Sequence, residues 1–243
     1  MGIDTFTPWL AVIATFALSY LVGSIPFAYI IVKAVSHEDI TTHGTGNVGS
    51  MNVRRTTGSW WWFAIAALAD GLKGLIPTLL AKVAVFDGWL LSLSLRPWAE
   101  VLETVSSAWW ANPAFFMPMA AVAGAVIGHN YSAVMALIQH RFARTGKGLA
   151  TGAGALLAYD WRYLVAVLLV SLTVVAFSRY MMAGQVAAAA TLPAAALTLR
   201  SPDWLFALAM GLVVYIAHHN RFMGMLRGSE PRLYINDRMG PRG

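Results

Sequence analysis

An all-α polytopic membrane protein of about seven transmembrane helices is the fold class this sequence predicts, and three observations carry the prediction. The chain of 243 residues is 58% hydrophobic and 12% charged, where water-soluble domains carry roughly a quarter Asp, Glu, Lys and Arg. Its mean hydropathy is +0.61. Apolar runs recur at the length of a bilayer crossing, roughly twenty helical residues for a hydrocarbon core of about 30 Å. These features exclude an ordinary water-soluble enzyme, and residues 1–243 read as a single integral membrane domain.

The first run, Pro8 to Val32, far exceeds a signal-peptide core and no Lys or Arg precedes it, so it is expected to remain as a spanning helix. Ser59 to Val85 and Pro113 to Ile138 are the next two spans. Between them, residues 87–112 hold Trp89, Trp98, Trp109 and Trp110 broken by Arg96, Pro97, Glu100 and Glu103. Indole rings favour the headgroup zone, so this stretch reads as an interfacial segment on the outer surface. Gly148 to Ala158 is apolar and rich in small residues but short for a crossing. Tyr163 to Ser178, Met181 to Leu199 and Trp204 to Ala217 complete the set, and 226–243 form a cytoplasmic tail.

Parity assigns the short segment as a helix of its own. With it included, 12 of the 17 basic residues fall on one side of the membrane, among them Lys33, Arg54, Arg55, Arg141, Arg144, Lys147, Arg179 and Arg221. Lys and Arg are retained in the cytoplasm, so the N-terminus is expected outside and the C-terminus inside. The same distribution explains the net charge of +6 without nucleic acid, because the basic residues are spread between spans. The absence of Cys excludes disulfides, thiolate-bound metals and a cysteine nucleophile.

Polar residues gather toward the inner face. In His43-Gly44-Thr45-Gly46-Asn47-Val48-Gly49-Ser50-Met51-Asn52-Val53-Arg54-Arg55, the glycines permit positive φ and are expected to aim successive N–H groups at an anion. Arg54 and Arg55 follow with guanidinium groups suited to phosphate. A second group, Arg141 to Thr151, places Lys147 between Gly146 and Gly148 at a helix start. It is not a nucleotide-binding P-loop, since Arg141 and Gly148 stand where that motif needs Gly and Ser or Thr. In the second span, Asp70 and Lys73 share a helix face, either as a structural ion pair or as a substrate contact. Gly128-His129-Asn130 lies toward the inner end of the third span, and His218, His219, Asn220 and Arg221 end the last. No pair of His has metal-ligand spacing and no nucleophile elbow occurs, so neither a metal nor a cofactor is expected.

Taken in order, Gly23-Ser24-Ile25-Pro26, the Gly44 to Gly49 loop ending in Arg55, Asp70 to Gly74, Gly128-His129, Gly146-Lys147-Gly148 with Ala150-Thr151, and the stretch from His218 to Glu230 resemble the bacterial acyl-phosphate:glycerol-3-phosphate acyltransferases, the PlsY family. The resemblance runs nearly end to end. It implies transfer of an acyl chain from acyl phosphate to glycerol 3-phosphate at the inner leaflet of the bacterial cytoplasmic membrane. The products would be lysophosphatidic acid and phosphate, in the first acylation of phospholipid synthesis, by a protein expected to be a monomer. It implies that Thr45 with Gly44, Gly46, Asn47 and Gly49 contacts phosphate. Arg55 and Lys147 would neutralise the two phosphate groups, and His218 would hold the glycerol phosphate. Ser24, Asn52, Lys73, His129, Gly146, Gly148 and Asn220 complete the expected substrate-binding set. Five positions depart from the family pattern: Thr45 replaces Ser, Met51 replaces Thr, Ser132 replaces Pro, Thr145 replaces Gly and Arg221 replaces Asn. The chain therefore reads as a divergent member. An organic-anion carrier, and a silent or substrate-shifted paralogue, are the rival readings.

Overall fold

A computed structural model describes residues 3–85 and 113–229, all helix and connection with no strand among them. The expected interfacial segment at 87–112 and the tail beyond Ser229 lie outside the described residues. The helices are α1 (Ile3–Gly23), α2 (Phe27–Ser36), α3 (Ser50–Thr57), α4 (Trp60–Val85), α5 (Met117–Asn130), α6 (Ala133–Gln139), α7 (Leu149–Tyr159), α8 (Trp161–Ser178), α9 (Met181–Thr198) and α10 (Trp204–Leu226). Among the described residues, five segments are long and apolar enough to cross a membrane: Trp9–Ser36, Trp60–Ala84, Met117–Gln139, Trp161–Ser178 and Met181–Thr198. The short apolar helix expected after Gly148 is present as α7.

The first and third spans differ from the continuous helices expected of them, since each is broken. Pro26 has no N–H and cannot continue α1, so the helix stops at Gly23 and restarts as α2. In a membrane every backbone group freed by such a break needs a protein partner. Lys73 Nζ donates to the Ile25 carbonyl at 2.8 Å. The Ser24 carbonyl accepts from the Ser132 hydroxyl, and the Ser24 hydroxyl accepts from Ala133 N–H at 3.2 Å. Ser132 stands at the break between α5 and α6 and caps α6 by accepting from Met135 N–H at 3.0 Å. The two breaks are therefore spliced to one another. The Ser132 hydroxyl makes both bonds, to the Ser24 carbonyl and from Met135 N–H.

Glycines bring the first group of helices into backbone contact. A Cβ added at Gly124 or Gly128 of α5 would lie 2.4 or 2.2 Å from the Phe16 or Tyr20 carbonyl oxygen of α1. Likewise Gly74 of α4 and Gly154 of α7 abut Thr151 and Gly71. Small residues at four-residue spacing permit this approach in lipid, where packing replaces the hydrophobic drive. The far end of α7 is held by Lys82 of α4, whose Nζ donates to the Ala158 carbonyl at 2.6 Å, a cation at a helix C-terminus. Helices α8, α9 and α10 pack on one another as a second group, with Gly211 against Ala189. α8 turns Leu169, Leu172 and Phe177 outward, as a lipid-facing helix should.

Candidate functional site

Two loops meet at one end of the bundle. Val48 N–H donates to the Thr145 carbonyl at 2.8 Å, which joins the Gly44–Gly49 turn to the Lys147 turn across nearly a hundred residues. Beneath this junction Val48, Val53, Ile40, Val32 and Met135 form a buried apolar cluster that fixes the height of the first loop. Residues 50–57, expected as loop, are the helix α3, which carries Asn52, Arg54 and Arg55.

The first loop is shaped by Asn52. Its Nδ2 donates to the carbonyls of Ile40 and His43, each at 3.0 Å, and its Oδ1 accepts from Thr45 N–H at 3.2 Å. Gly44, at φ +51°, is required because a Cβ there would lie 2.3 Å from Asn52 Oδ1. Asn52, expected among the substrate-binding residues, is buried here and supports the loop. A second correction concerns the backbone. The N–H groups of Thr45, Gly46, Val48 and Gly49 are committed to Asn52 Oδ1 and the carbonyls of His43, Thr145 and Asn47. The expected cradle of successive free N–H groups is not formed, because the turn, Asn52 and Thr145 between them occupy these donors. The Arg55 side chain runs along the loop, with its Cδ beside Gly44.

The second loop is built from the end of α5. Thr145 N–H donates to the Asn130 carbonyl at 2.8 Å and its hydroxyl to the His129 carbonyl at 3.1 Å. Gly146 lies flat on the His129 ring, leaving no space for a Cβ, and Gly148 caps α7 at φ +72°. His129 Nδ1 is 3.6 Å from Asp70 Oδ1, and Lys73 Nζ is 2.8 Å from the same oxygen. Of the two readings open for Asp70 and Lys73, the geometry favours the ion pair. Lys73 joins Asp70 to the α1 break, and Asp70 leads through His129 to the floor under Gly146. Ser24, Lys73 and His129, all expected in the substrate-binding set, are buried beneath the two loops.

Charge concentrates above this floor. Lys147 is half-buried, and burial, reinforced by the cationic Arg221, Arg144 and Arg55, pushes its ammonium down to about 7. Arg144 Nη1 donates to the Ala217 carbonyl at 2.6 Å and so fastens the Lys147 loop to α10. His218 faces the same cluster from α10, among Lys147, Arg144 and Arg221. Its Nδ1 is 2.7 Å from the Val214 carbonyl, and a carbonyl only accepts, so Nδ1 carries the proton. Nε2 is left as a buried acceptor with no protein partner among the described residues.

Arg144 and Arg221 stand in this cluster although the expected site set does not include them. For Arg144 the sequence signal is its place three residues before Lys147. Arg221 follows His218 by three residues and therefore shares its helix face. Asn220, expected to serve there, is exposed on another face of α10.

A family model described as glycerol-3-phosphate acyltransferase matches residues 13–228. A glycerol-3-phosphate acyltransferase of Desulforudis audaxviator is 32% identical over 226 residues, covering 92% of this chain and 96% of the relative. One from Syntrophomonas wolfei is 33% identical over 225 residues, with 90% and 96% coverage. The crystal structure of PlsY (YgiH), an integral membrane glycerol 3-phosphate acyltransferase, in its glycerol 3-phosphate form, superposes with a TM-score of 0.71 at 25% identity. That match covers 92% of this chain and 96% of the other.

Proposed function

The chain belongs to the glycerol-3-phosphate acyltransferase family, and from that premise we propose that its two joined loops bring acyl phosphate and glycerol 3-phosphate together for direct acyl transfer. It is an acyltransferase of phospholipid synthesis. The observation that supports the donor and the residue roles is the bond from Val48 to Thr145, which gathers Arg55, Arg144, Lys147 and Arg221 at one place. Two phosphate-bearing substrates bring several negative charges, and four cations in a partly dehydrated pocket are the matching complement.

Acyl phosphate is a mixed anhydride with a good leaving group, so alignment and charge neutralisation are the main tasks. A hydroxyl oxygen of glycerol 3-phosphate attacks the acyl carbon, the carbon–oxygen bond to phosphorus breaks, and inorganic phosphate departs. A phosphate oxygen of the substrate takes the hydroxyl proton. Arg55 and Lys147 hold the two phosphate groups, Thr45 orients one of them, and His218 Nε2 accepts a hydrogen bond from the glycerol moiety. The excess of Lys and Arg at this end of the bundle supports a site facing the cytoplasm of a bacterial membrane.

Replacing Lys147 or Arg55 by Ala in purified protein is expected to abolish formation of lysophosphatidic acid, measured by mass spectrometry with acyl phosphate and glycerol 3-phosphate supplied. Wild-type turnover by either variant would remove this assignment.

A further inference from the structure

An apolar cavity of about 240 Å³ starts at Gly148 and Leu149, the residues directly after Lys147, and runs between the two groups of helices. Chain direction orients it. Gly148, Val175, Met181 and Val214 line the end beside the phosphate site, and Tyr159, Tyr163, Leu192 and Phe206 line the other. From Gly148 to Tyr159 the helix α7 advances by about 16 Å.

The far end is closed by a rigid wall. Tyr159 and Tyr163 are fully buried, and each hydroxyl donates to a different oxygen of Asp203 at 2.6 Å. The Ser201 hydroxyl donates to the same carboxylate. Phe206 packs on Tyr159 with ring centroids 5.6 Å apart. Hydrogen bonds to a buried carboxylate are strong and directional, so these rings cannot swing aside as free aromatics would.

We propose that Tyr159, Tyr163 and Phe206, braced by Asp203, are the end stop of an acyl-chain ruler that sets the length of chain this enzyme accepts. The inference rests on the acyl phosphate reading above. The occupant is the acyl chain of the donor, because the cavity begins at the residue after Lys147 and, short of the tyrosines at its far wall, its lining is hydrocarbon and backbone apart from Ser171 and Gln185. Carbon–carbon bonds of about 1.5 Å at tetrahedral angles advance an extended chain by roughly 1.25 Å per carbon, so about thirteen carbons fill the length of α7. Each methylene that enters apolar surroundings is worth about a fourfold gain in kcat/KM. The gain ends where the chain meets the wall, near fourteen carbons.

Two substitutions alter the ruler in opposite senses. At Gly152 an added Cβ has only Val126 within reach, at 3.9 Å, so Gly152→Leu extends into the cavity about 6 Å from Gly148. Phe206→Ala opens the far wall. The experiment measures kcat/KM for acyl phosphates of eight to eighteen carbons on the wild type and both variants in detergent. The ratio between chain lengths within one preparation does not depend on how much of it is folded. The wild type is expected to rise to about fourteen carbons and level off. Gly152→Leu should lower the ratio of fourteen to eight carbons at least tenfold, and Phe206→Ala should carry the rise on to sixteen or eighteen. Unchanged ratios in both variants overturn the ruler and leave acyl transfer standing. Should the wild type use no acyl phosphate at all, the donor assignment falls, and thermal stabilisation by lysophosphatidic acids of the same lengths tests the ruler separately. Stabilisation that stops near fourteen carbons and moves with the variants supports it, and a flat or unmoved response overturns it.

Discussion

The two groups of helices solve the problem of packing in lipid in different ways. In the first, α1, α4, α5 and α7 meet backbone to backbone through glycines, and their buried polar groups are bonded to one another. In the second, α8, α9 and α10 also meet at glycines, Gly184 against Ser171 and Gly211 against Ala189, but leave an open apolar cavity against α7. The difference follows from what each holds. The first must fix loops that grip charge, and a displacement of one ångström there misaligns two reactants. The second has only to receive hydrocarbon, which asks for volume and tolerates adjustment.

The ion pair of the first group is where this comparison breaks most visibly. Asp70→Asn leaves Lys73 buried without its counter-charge, and losing one partner of a buried pair costs about 3–5 kcal/mol. Thermal unfolding in detergent is expected to show the full loss. Replacing both partners by apolar residues of similar size, Asp70→Leu with Lys73→Met, should recover most of the stability, since the desolvation of two charges is also removed. If the double variant is stable yet fails to bind glycerol 3-phosphate, Lys73 contacts substrate and the structural reading is wrong.

Two glycines on α7 sharpen the contrast on a single helix. A Cβ at Gly154 would lie 1.9 Å from the Gly71 carbonyl oxygen, while one at Gly152 faces the cavity. Gly154→Ala should destabilise by about 1–3 kcal/mol through forced separation of α4 and α7. Gly152→Ala should be neutral or slightly stabilising, since Ala favours helix over Gly by about 1 kcal/mol. Equal melting temperatures for the two variants would deny that the halves differ.

Asp203 in the second group carries an effect of similar size. Asp203→Asn keeps the shape but weakens three hydrogen bonds to a buried carboxylate, at a cost of about 1–3 kcal/mol. The same variant should blur the upper chain-length limit by freeing Tyr159 and Tyr163. A sharp limit in a destabilised protein would separate the brace from the wall.

How far these features were legible in the sequence follows the range of the interactions. Spans were legible because lipid imposes a length and a composition on every crossing, and Lys147 between two glycines was visible because its neighbours are consecutive. The breaks at Ser24 and Ser132 were not, since a helix in lipid can be interrupted only where another segment satisfies it, and Ser24 and Ser132 are over a hundred residues apart. Asn52 looked like a ligand because a buried Asn and an exposed one are the same letter. The cradle of N–H groups failed for a related reason: glycine permits the turn, but the acceptors that then occupy its donors come from Thr145 and Asn52. Arg221 was visible as a departure from the family pattern, but its place beside Lys147 was not, because that contact joins α10 to a loop more than seventy residues earlier.

The smallest expected effect reports on the charge of the gripping half directly. With the Lys147 ammonium pushed down to about 7 in the open site, the side chain is mostly charged below that pH and mostly neutral above it. A bound phosphate favours the charged form and raises the value again. The second ionisation of a phosphate ester lies near 6, so glycerol 3-phosphate is already a dianion at pH 8 and gains no proton itself. Binding at pH 8 should therefore take up close to one proton, and affinity should decline as pH rises above 7. Calorimetry in buffers of different ionisation enthalpy measures the uptake. Lys147→Arg keeps its charge throughout this range and should bind with no proton uptake and a flatter pH profile. Proton uptake of the same size in Lys147→Arg would place the titrating group elsewhere and detach Lys147 from the substrate phosphate.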